Sequence, residues 1–481
     1  IFIIFSLLSC MFVFAYAFLK IPKTALPFSL FATTFIAMVA VLSMKTKDET
    51  TVMISVLGIL GVFYFFICPF EMPPDEPAHL LRAFEISTGR LFARPLSSGA
   101  FGDVLPSALK DCWNRSAVID WNDNAEIGFS TSALYSFVSY IPQSIGILLA
   151  RIFTSRLAVV YYMGRLFNFL AAFALSVFTL KKIPFGKKIL FIFMVLPMTL
   201  QEMISLSPDA FVNSLSFAFI AFILDCAYAK PRVTKKDILI IGAMLSMISL
   251  CKVVYLVALF LVYIIPSHKL EKREIYWLKV FVPLLAVTLS LLSLAGSAYT
   301  LTNSQASYSS GANAREQAKF ILTHPFSYMM IFVKTLLAQT PSWIGTCIGS
   351  ALGWLDIKID FIVYFPFLLM LLFQSIWRND IPVQIQKNDI LLFALTFFAG
   401  TVLILTSLYV QWTPLRAKMI DGVQGRYFIP LLPSLFFALA YARSGKISAE
   451  KGKLPYLPVA ILALNFTVLA TVYDFYQNAA L

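Results

Sequence analysis

Long uncharged apolar runs recur along the whole chain and alternate with short polar segments. Most runs reach the roughly 17–25 residues that a transmembrane helix needs, and they far exceed a barrel strand. Because lipid offers the backbone no hydrogen bonds, we predict an all-α polytopic membrane protein with about 11–13 transmembrane helices. The predicted spans are 1–19, 25–43, 51–70, 157–180, 189–206, 210–229, 238–250, 253–266, 280–298, 360–377, 389–410, 427–442 and 455–475.

Two of these runs, 238–250 and 253–266, are short for a full crossing, and both are flanked by basic segments. Flanks of the same charge favour the same side of the membrane. We therefore predict a hairpin of two short helices that turns at Cys251–Lys252. The run 134–153 is interpreted as an apolar helix lying in the outer interface, because counting it as a span would move the basic segment 181–188 outside.

The distribution of charge orients the chain. It carries 38 Lys and Arg against 25 Asp and Glu, a net charge of +13, and 20 of the 38 basic residues fall in six short loops. Cytoplasmic loops concentrate Lys and Arg in this way, so the excess indicates topology rather than nucleic-acid binding. These loops are 44–50, 181–188, 230–237, 267–279, 378–388 and 443–453. The long segments 71–156, 299–359 and 411–426 are then expected on the outer, periplasmic side.

The composition agrees with the apolar pattern. The 481 residues are 59% hydrophobic and only 13% charged, with a mean hydropathy of +0.81, whereas about a quarter of a soluble domain is charged. Four of the six cysteines fall in or beside apolar runs and are predicted to be packing residues. A disulfide between Cys112 and Cys347, which fall in outer loops, is conceivable.

The first outer segment opens with "PPDEPAHLLRA", directly after a predicted span. A proline and a glycine delimit a predicted helix over 77–88, with Asp75 and Glu76 at its positive end. His79 and Arg82 are three residues apart and share a face. Two interpretations stay open: the acids cap the helix, or one of them accepts a proton from a hydroxyl nucleophile. Asp75 with His79 also provides two potential metal ligands, which is too few for a site.

Further polar groups stand at the ends of predicted spans. Glu202 and Asp209 flank the turn "SLSPD", where a helix cap is the simpler interpretation. Arg426 and Tyr427 in "QGRYF" form either an interface anchor or a grip on a phosphate.

Two more basic residues are predicted near the same face. Lys252 stands at the hairpin turn, and Arg165 lies inside a span, where a cation usually faces a cavity or a partner.

The segment "PSWIGTCIGSALGWLDIKID" adds Trp343, Trp354 and Asp356. Tryptophan faces bind the apolar faces of sugars, although tryptophan is also common at membrane interfaces. The chain has no phosphate-binding P-loop, no dinucleotide fingerprint and no H-E-x-x-H motif, which argues against a nucleotide-driven pump or a membrane metalloprotease.

The motifs "PPDEPAHLLRA", "SPDAF", "GWLD" and "QGRYFIPLLP", in this order over about residues 50–440, resemble those of a little-characterised bacterial membrane family. A multi-spanning chain with an acidic pair in its first outer loop also resembles the GT-C glycosyltransferases. The phage-type serotype-converting O-antigen glucosyltransferases are similar in size and layout, more loosely. The resemblance implies a GT-C-like core over 51–442, two additional N-terminal helices in 1–50, and a cytoplasmic loop with a last helix in 443–481.

The GT-C resemblance implies a polyprenyl-phosphate-linked sugar as the donor. It implies Asp75, with Glu76 as the alternative, as the base that acts on the acceptor hydroxyl, and Arg426 as the phosphate ligand, assisted by Lys252 or Arg165. The remaining polar residues are candidates for binding the acceptor or the sugar: His79, Arg82, Glu202, Asp209, Trp343, Trp354, Asp356 and Tyr427.

We therefore expect an inverting inner-membrane glycosyltransferase that moves a hexose to a periplasmic glycan such as O-antigen. No cofactor is predicted, and a divalent metal stays an open alternative. The expected partners are the lipid-linked donor, a glycan acceptor and membrane lipids. The alternatives are a transporter or flippase of lipid-linked sugars, for which paired repeats and broken midplane helices are typical, and an assembly subunit without enzymatic activity.

Overall fold

A computed structural model describes residues 2–46, 48–70, 72–114, 116–303, 312–377, 381, 386–443 and 456–479. Three quarters of it, 75%, is helical, and the protein is an all-α polytopic membrane protein. The polar start of the segment 299–359 and most of the predicted loops 378–388 and 443–453 lie outside the described residues.

The first half of the chain contributes ten α-helices. They are α1 (Phe2–Lys20), α2 (Ala25–Lys45), α3 (Glu49–Ile67), α4 (Glu76–Ser87), α5 (Ser130–Ala133), α6 (Ile141–Phe153), α7 (Leu157–Lys182), α8 (Lys187–Met194), α9 (Pro197–Met203) and α10 (Asp209–Leu224). A π-helical turn extends α10 to Ala229.

The second half contributes nine more. They are α11 (Lys235–Cys251), α12 (Lys272–Tyr276), α13 (Val282–Asn303), α14 (Ala314–Thr323), α15 (Pro325–Ile348), α16 (Phe361–Ile376), α17 (Lys387–Gln411), α18 (Leu432–Arg443) and α19 (Tyr456–Ala479). A π-helical turn joins α12 to α13. Short 3₁₀ helices cover Ser107–Asp111, Phe137–Tyr140, Val253–Ile264, Ser267–Lys269 and Gly425–Phe428.

Local capping fixes where several of these helices begin. Asp48 accepts hydrogen bonds from the backbone N–H groups of Thr50 (2.9 Å) and Thr51 (3.2 Å) and so starts α3. Thr234 and Asp237 form a reciprocal capping box at the start of α11. Such caps satisfy amide groups that the first helical turn leaves unpaired.

The described helices fall short of the predicted number of full crossings. Eight are long and apolar enough to span a membrane, or nine if the bent pair α14–α15 is one span. Four shorter apolar helices, of 10–17 residues, lie at Phe137–Phe153, Val253–Ile264, Phe361–Ile376 and Leu432–Ala442. The predicted 11–13 spans are therefore reached only when shorter helices also cross.

Two predicted segments are corrected by the structure. The span predicted over 189–206 is broken into α8 and α9, because Pro197 cannot continue the ladder of α8 and instead starts α9. The segment 299–359, predicted without any span, contains two helices, α14 and α15, which are bent by 108° at His324 and together are long and apolar enough for one span.

The predicted hairpin at Lys252 is present. Its first leg, α11, has 17 residues and is about 26 Å long at the rise of an α-helix. Its second leg, Val253–Ile264, is a 3₁₀ helix of 12 residues. Because a 3₁₀ helix rises further per residue than an α-helix, this leg is about 24 Å long. The two unequal segments therefore have nearly equal lengths, and Lys252 lies at their common tip.

The segment after α4 adds a small sheet. Strand β1 (Arg94–Pro95) pairs antiparallel with β2 (Phe101–Pro106), which pairs antiparallel with β3 (Asn124–Gly128). A second core, separate from that of the bundle, joins this sheet to α4 and α6 through residues such as Leu80, Leu105 and Ile147. The strands β4 (Ala351–Leu352) and β5 (Ile357–Lys358) form a hairpin between α15 and α16.

The bundle is most deeply buried around α8, α9 and α10, nearly all of whose residues are enclosed. The helices α1, α2 and α19 pack together at one side of it. All six cysteines are free, so the disulfide considered between Cys112 and Cys347 is not formed.

Candidate functional site

Asp75 lies at the N-terminus of α4 in a left-handed conformation, with φ of 61°. This conformation is uncommon for a residue with a Cβ and tends to occur at functional positions. The Asp75 side chain makes no capping hydrogen bond, and 56% of it is exposed. The helix starts at Glu76, one residue before the predicted start, which puts Asp75 at the N-cap position. Because its side chain accepts no amide hydrogen bond there, the simple capping interpretation of Asp75 is wrong.

Glu76 is fully buried and enclosed by hydrogen-bond donors. Arg165 contacts both of its carboxylate oxygens, with Nε at 2.8 Å from Oε1 and Nη2 at 2.7 Å from Oε2. The Tyr161 hydroxyl and the Leu206 backbone N–H (3.0 Å) also donate to Glu76. An acid held by four donors in the interior is anchored as a carboxylate and cannot reach a substrate.

Arg165 donates its other N–H groups to the carbonyls of Cys68 (3.0 Å) and Pro69 (2.9 Å). It is fully buried and its N–H groups are occupied by Glu76 and these carbonyls, which argues against the expected phosphate-binding role of Arg165 and the alternative role of Glu76 as the base. The pair instead forms a clamp that fixes the backbone on both sides of Asp75.

Arg426 is held opposite Asp75 by the 3₁₀ turn Gly425–Phe428. A Cβ on Gly425 would lie 2.3 Å from the Cys347 amide nitrogen and 2.4 Å from the Trp343 carbonyl oxygen, so only glycine lets this turn pack under α15. The Arg426 guanidinium places Nη1 at 3.2 Å from Glu202 Oε1 and Nη2 at 3.6 Å from Asp75 Oδ2.

Two polar atoms of this group lack hydrogen bonds within the described residues. They are Arg426 Nε and Glu202 Oε2, both buried. Because buried polar atoms are normally satisfied, the two atoms indicate a site that is incomplete without water or a ligand.

Lys252 forms a second, adjacent ion pair. Its ammonium donates a hydrogen bond to Asp209, and both side chains are almost fully buried. The ammonium also lies over the rings of Tyr135 (5.5 Å) and Tyr427 (5.2 Å), and the guanidinium of Arg426 lies 5.6 Å from the ring of Tyr427. Tyr427 therefore joins the two cations into one cluster.

His79 lies beside this cluster and is bonded to the Tyr140 hydroxyl through Nδ1 at 2.8 Å. Burial lowers the pKa of His79 to about 3, so the ring is neutral at physiological pH. A neutral ring can position a hydroxyl group or a tyrosine, but it contributes no positive charge to the binding of a phosphate.

Arg82 lies beside the cluster, with Nη2 at 3.4 Å from the Tyr135 carbonyl oxygen, but its main partners are elsewhere. It pairs with Glu85 and donates to the carbonyl of Leu91 at 2.8 Å, and it is 2% exposed. The structure therefore contradicts the predicted acceptor-binding role of Arg82. Burial raises the pKa of Glu85 to about 7 despite this arginine.

The two tryptophans of the aromatic segment before α16 differ in exposure. Trp343 is buried and stacks on Phe428 with ring centroids 5.5 Å apart, so it packs under the site and cannot be a sugar platform. Trp354 is 53% exposed on the turn between β4 and β5. Asp356 accepts a hydrogen bond from the backbone N–H of Ile357 (3.1 Å) and shapes this turn instead of facing the cluster. Gly353, in the same turn, donates to Gln201 beside Glu202 at 2.8 Å.

A groove of about 430 Å³ leads to the cluster. Its walls come from α13, α17 and the start of the 3₁₀ helix Val253–Ile264, and apolar side chains such as Leu294, Leu403 and Ile404 line most of them. One end of the groove is polar, formed by Lys252, Tyr135 and Tyr427. The shape and lining fit a long apolar chain with an anionic head.

Six residues from five separated segments thus meet at one end of the bundle, which we call the site face: Asp75, Glu202, Asp209, Lys252, Arg426 and Tyr427. Tyr135, Tyr140 and Tyr161 also contribute, and the sequence analysis missed them because tyrosines are common at membrane interfaces. Within the described residues, His, Cys, Asp and Glu side chains form no group of three or more that could hold a metal ion.

The fold and this site define a multi-pass membrane protein with a charged cluster at one end of its bundle. A family model described as "Predicted membrane protein (DUF2142)" matches residues 57–435, and the chain belongs to this family. The match includes every residue of the cluster and leaves α1, α2 and α19 outside it. No curated protein matches the chain, and neither does any solved structure. Of the expected resemblance, membership of a membrane-protein family is confirmed.

Proposed function

We propose that the protein is a glycosyltransferase that moves a sugar from a polyprenyl-phosphate carrier to a glycan acceptor at the site face. The observation that carries the proposal is the apolar groove whose polar end is formed by Lys252 and Tyr427, next to Arg426 and the exposed Asp75. An apolar chain in the groove would bring its phosphate to the two cations.

The proposed reaction assigns one task to each group. The acceptor hydroxyl oxygen attacks the anomeric carbon, the bond from that carbon to the phosphate oxygen breaks, and polyprenyl phosphate leaves. Asp75 takes the hydroxyl proton. Arg426 and Lys252 stabilise the negative charge that grows on the phosphate. Attack from the side opposite the phosphate inverts the anomeric centre.

The contacts of Arg426 support this order of events. Of its two ion pairs, the one with Asp75 is the longer, at 3.6 Å, and the more exposed, whereas Glu202 holds it from the buried side at 3.2 Å. A phosphate that replaces Asp75 at the guanidinium would release the carboxylate to act as a base. Glu202 would keep the guanidinium in place during the exchange.

The second candidate is a transporter or flippase of lipid-linked sugars. The break between α8 and α9 in the most buried part of the bundle favours it, since transporters bind substrates at interrupted helices. The exposed acid beside two cations favours the enzyme, since transport needs no base.

The test is turnover by the purified full-length protein in lipid nanodiscs, supplied with polyprenyl-phosphate hexoses and a lipid-linked glycan acceptor. Release of polyprenyl phosphate together with a glycan enlarged by one sugar would support the enzyme. The same protein is also reconstituted into sealed vesicles. Movement of the intact donor across the vesicle membrane, without release of the sugar, would support the flippase and refute the transferase.

We place the site face on the periplasmic side of a bacterial inner membrane. The basic loops at the opposite end of the bundle support this orientation.

A further inference from the structure

Along its length, the helix α15 contacts the segments that border the site face: the end of α17, the loop after it and the 3₁₀ turn Gly425–Phe428. Near its start, the Tyr328 hydroxyl bonds to Thr406 in the last third of α17 at 2.7 Å. At its middle, Thr335 accepts a hydrogen bond from the Ile420 amide at 3.0 Å, and near its end Trp343 stacks on Phe428. Although its 24 residues, about 36 Å, could cross a bilayer, these contacts indicate that it lies along the site face.

An apolar stripe runs along the outward side of α15. Phe326 is 86% exposed, Met330 70% and Leu337 79%, and spacings of four and seven residues put the three on one side of an α-helix. Thr335, which packs on the protein, is buried and lies nearly opposite Leu337 on the helix. The stripe therefore points away from the bundle, and water is a poor environment for it.

Basic side chains border this stripe. Five exposed basic residues lie here: Arg315 and Lys319 on α14, Lys334 on α15, and Arg416 and Lys418 in the loop after α17. Within the described part of the chain, none of the five forms an ion pair. Within the described ranges 314–323, 325–348 and 412–421, the acidic residues are Glu316 and Asp421.

Hydrogen bonds join these elements into one surface. Gln317 on α14 donates to the carbonyls of Thr413 (3.3 Å) and Pro414 (3.1 Å). The same loop exposes Trp412 and Leu415, an aromatic and an aliphatic side chain, beside its two cations. An apolar stripe bordered by Lys and Arg, with tryptophan at its edge, is typical of helices that lie in the membrane interface.

We propose that α14, α15 and the loop 412–418 form an interfacial surface that binds anionic phospholipid headgroups of the leaflet on the site face. The apolar stripe enters the acyl region, and the basic residues take the headgroup phosphates. Membrane proteins concentrate Lys and Arg on the opposite face, so an unpaired basic group here calls for an anionic partner. The continuous apolar stripe makes that partner a lipid, since a soluble anion would leave it exposed.

The experiment uses the full-length protein with its native cysteines replaced, carrying an environment-sensitive fluorophore on Leu337→Cys, in nanodiscs that contain brominated lipid. We expect strong quenching by brominated phosphatidylglycerol and several-fold weaker quenching by brominated phosphatidylcholine at the same mole fraction. Replacing Lys319, Lys334 and Lys418 together by Gln should remove most of this several-fold preference, so that in this triple variant the two lipids quench nearly equally.

The matched control is Lys236→Gln, which removes an exposed lysine from the opposite face and should leave the preference unchanged. Equal quenching by the two lipids would overturn the headgroup assignment. If neither lipid quenches the fluorophore, the stripe is either exposed to water or covered by another protein chain. Either result would overturn the placement of α15 in the interface. At high salt we expect quenching to persist but the preference for phosphatidylglycerol to be lost, because salt screens exposed ion pairs between the basic residues and the headgroups.

Discussion

The ion pair between Arg426 and Glu202 allows the stability and the binding roles of Arg426 to be measured separately. Glu202 is fully buried, and Arg426 Nη1 lies 3.2 Å from its Oε1. Arg426→Ala would leave a buried carboxylate without its cation, and breaking such a pair by removing one partner costs about 3–5 kcal/mol. We therefore expect the single variant to unfold at a clearly lower temperature, whatever its function is.

The double variant Arg426→Leu with Glu202→Leu removes both charges and fills the space with apolar groups. Such a replacement is often neutral or stabilising, so most of the lost stability should return. Binding of a phosphate should not return, because a charge-assisted hydrogen bond contributes roughly 1.5–3 kcal/mol. The affinity for a long polyprenyl monophosphate should therefore fall about ten- to a hundredfold in both variants.

Thermal unfolding in detergent and binding of polyprenyl monophosphate, measured on the same preparations, check this reasoning. Glu202→Gln is the matched control: it keeps the guanidinium and removes a competing anion, so it should bind the phosphate at least as tightly as the wild type. Wild-type affinity in the double variant would refute the phosphate role of Arg426 and leave it as the partner of Glu202.

Four further predictions follow from the described contacts. Asp75→Asn should fold normally, because its side chain caps nothing, and should lose about 10²–10⁴-fold in sugar transfer. Ser293→Trp should fill the groove and weaken binding of polyprenyl phosphate at least about tenfold, as expected for an overfilled pocket. Burial raises the pKa of Glu85 from 4.5 to about 7, so its contribution to stability is complete below 4.5 and is lost as the pH rises through 7. Glu85→Gln should therefore gain about 2 kcal/mol relative to the wild type between pH 5.5 and pH 8 in chemical unfolding. In intact inner membranes, an impermeant thiol reagent should label Ser98→Cys and spare Lys236→Cys.

Each of these predictions has a control and a contradicting result. Asp120→Asn, an exposed acid in the same loop, should transfer sugar normally, and normal transfer by Asp75→Asn as well would exclude Asp75 as the base. Leu291→Trp, on the lipid-facing side of α13, should bind normally; equal binding by both tryptophan variants would exclude the groove. A Glu85→Gln variant whose stability relative to the wild type falls between pH 5.5 and pH 8 would show that the ion pair with Arg82 dominates over burial. Labelling of Lys236→Cys alone would reverse the orientation.

The sequence was sufficient to predict the helical class and the positions at which polar groups gather. Acids and bases at the ends of apolar runs must find partners or water, and Asp75, Asp209, Lys252 and Arg426 were selected for this reason. The short hairpin at Lys252 followed from the basic flanks on both sides of it. These predictions depend on the local sequence pattern, and contacts with distant parts of the chain do not change them.

The assignments that failed depend on geometry that the sequence does not record. Asp75 and Glu76 are adjacent, and only the left-handed conformation of Asp75 decides that one is exposed and the other enclosed. Arg165 was predicted to face a ligand, but its partner, Glu76, lies 89 residues away in the chain. The break at Pro197 was missed because apolar residues continue on both sides of it.

The equal, short legs of the hairpin at Lys252 affect how a substrate could arrive. Legs of about 24–26 Å are shorter than the roughly 30 Å hydrocarbon core, so a tip supported by them lies slightly below the level of the headgroups. Helices border most of the groove beside Lys252, and Leu134 and Tyr135 from the outer segment also line it. A lipid-borne substrate could then enter sideways from the plane of the leaflet. Its encounter with the protein would be a two-dimensional search, governed by its surface density in the membrane and independent of any concentration in water.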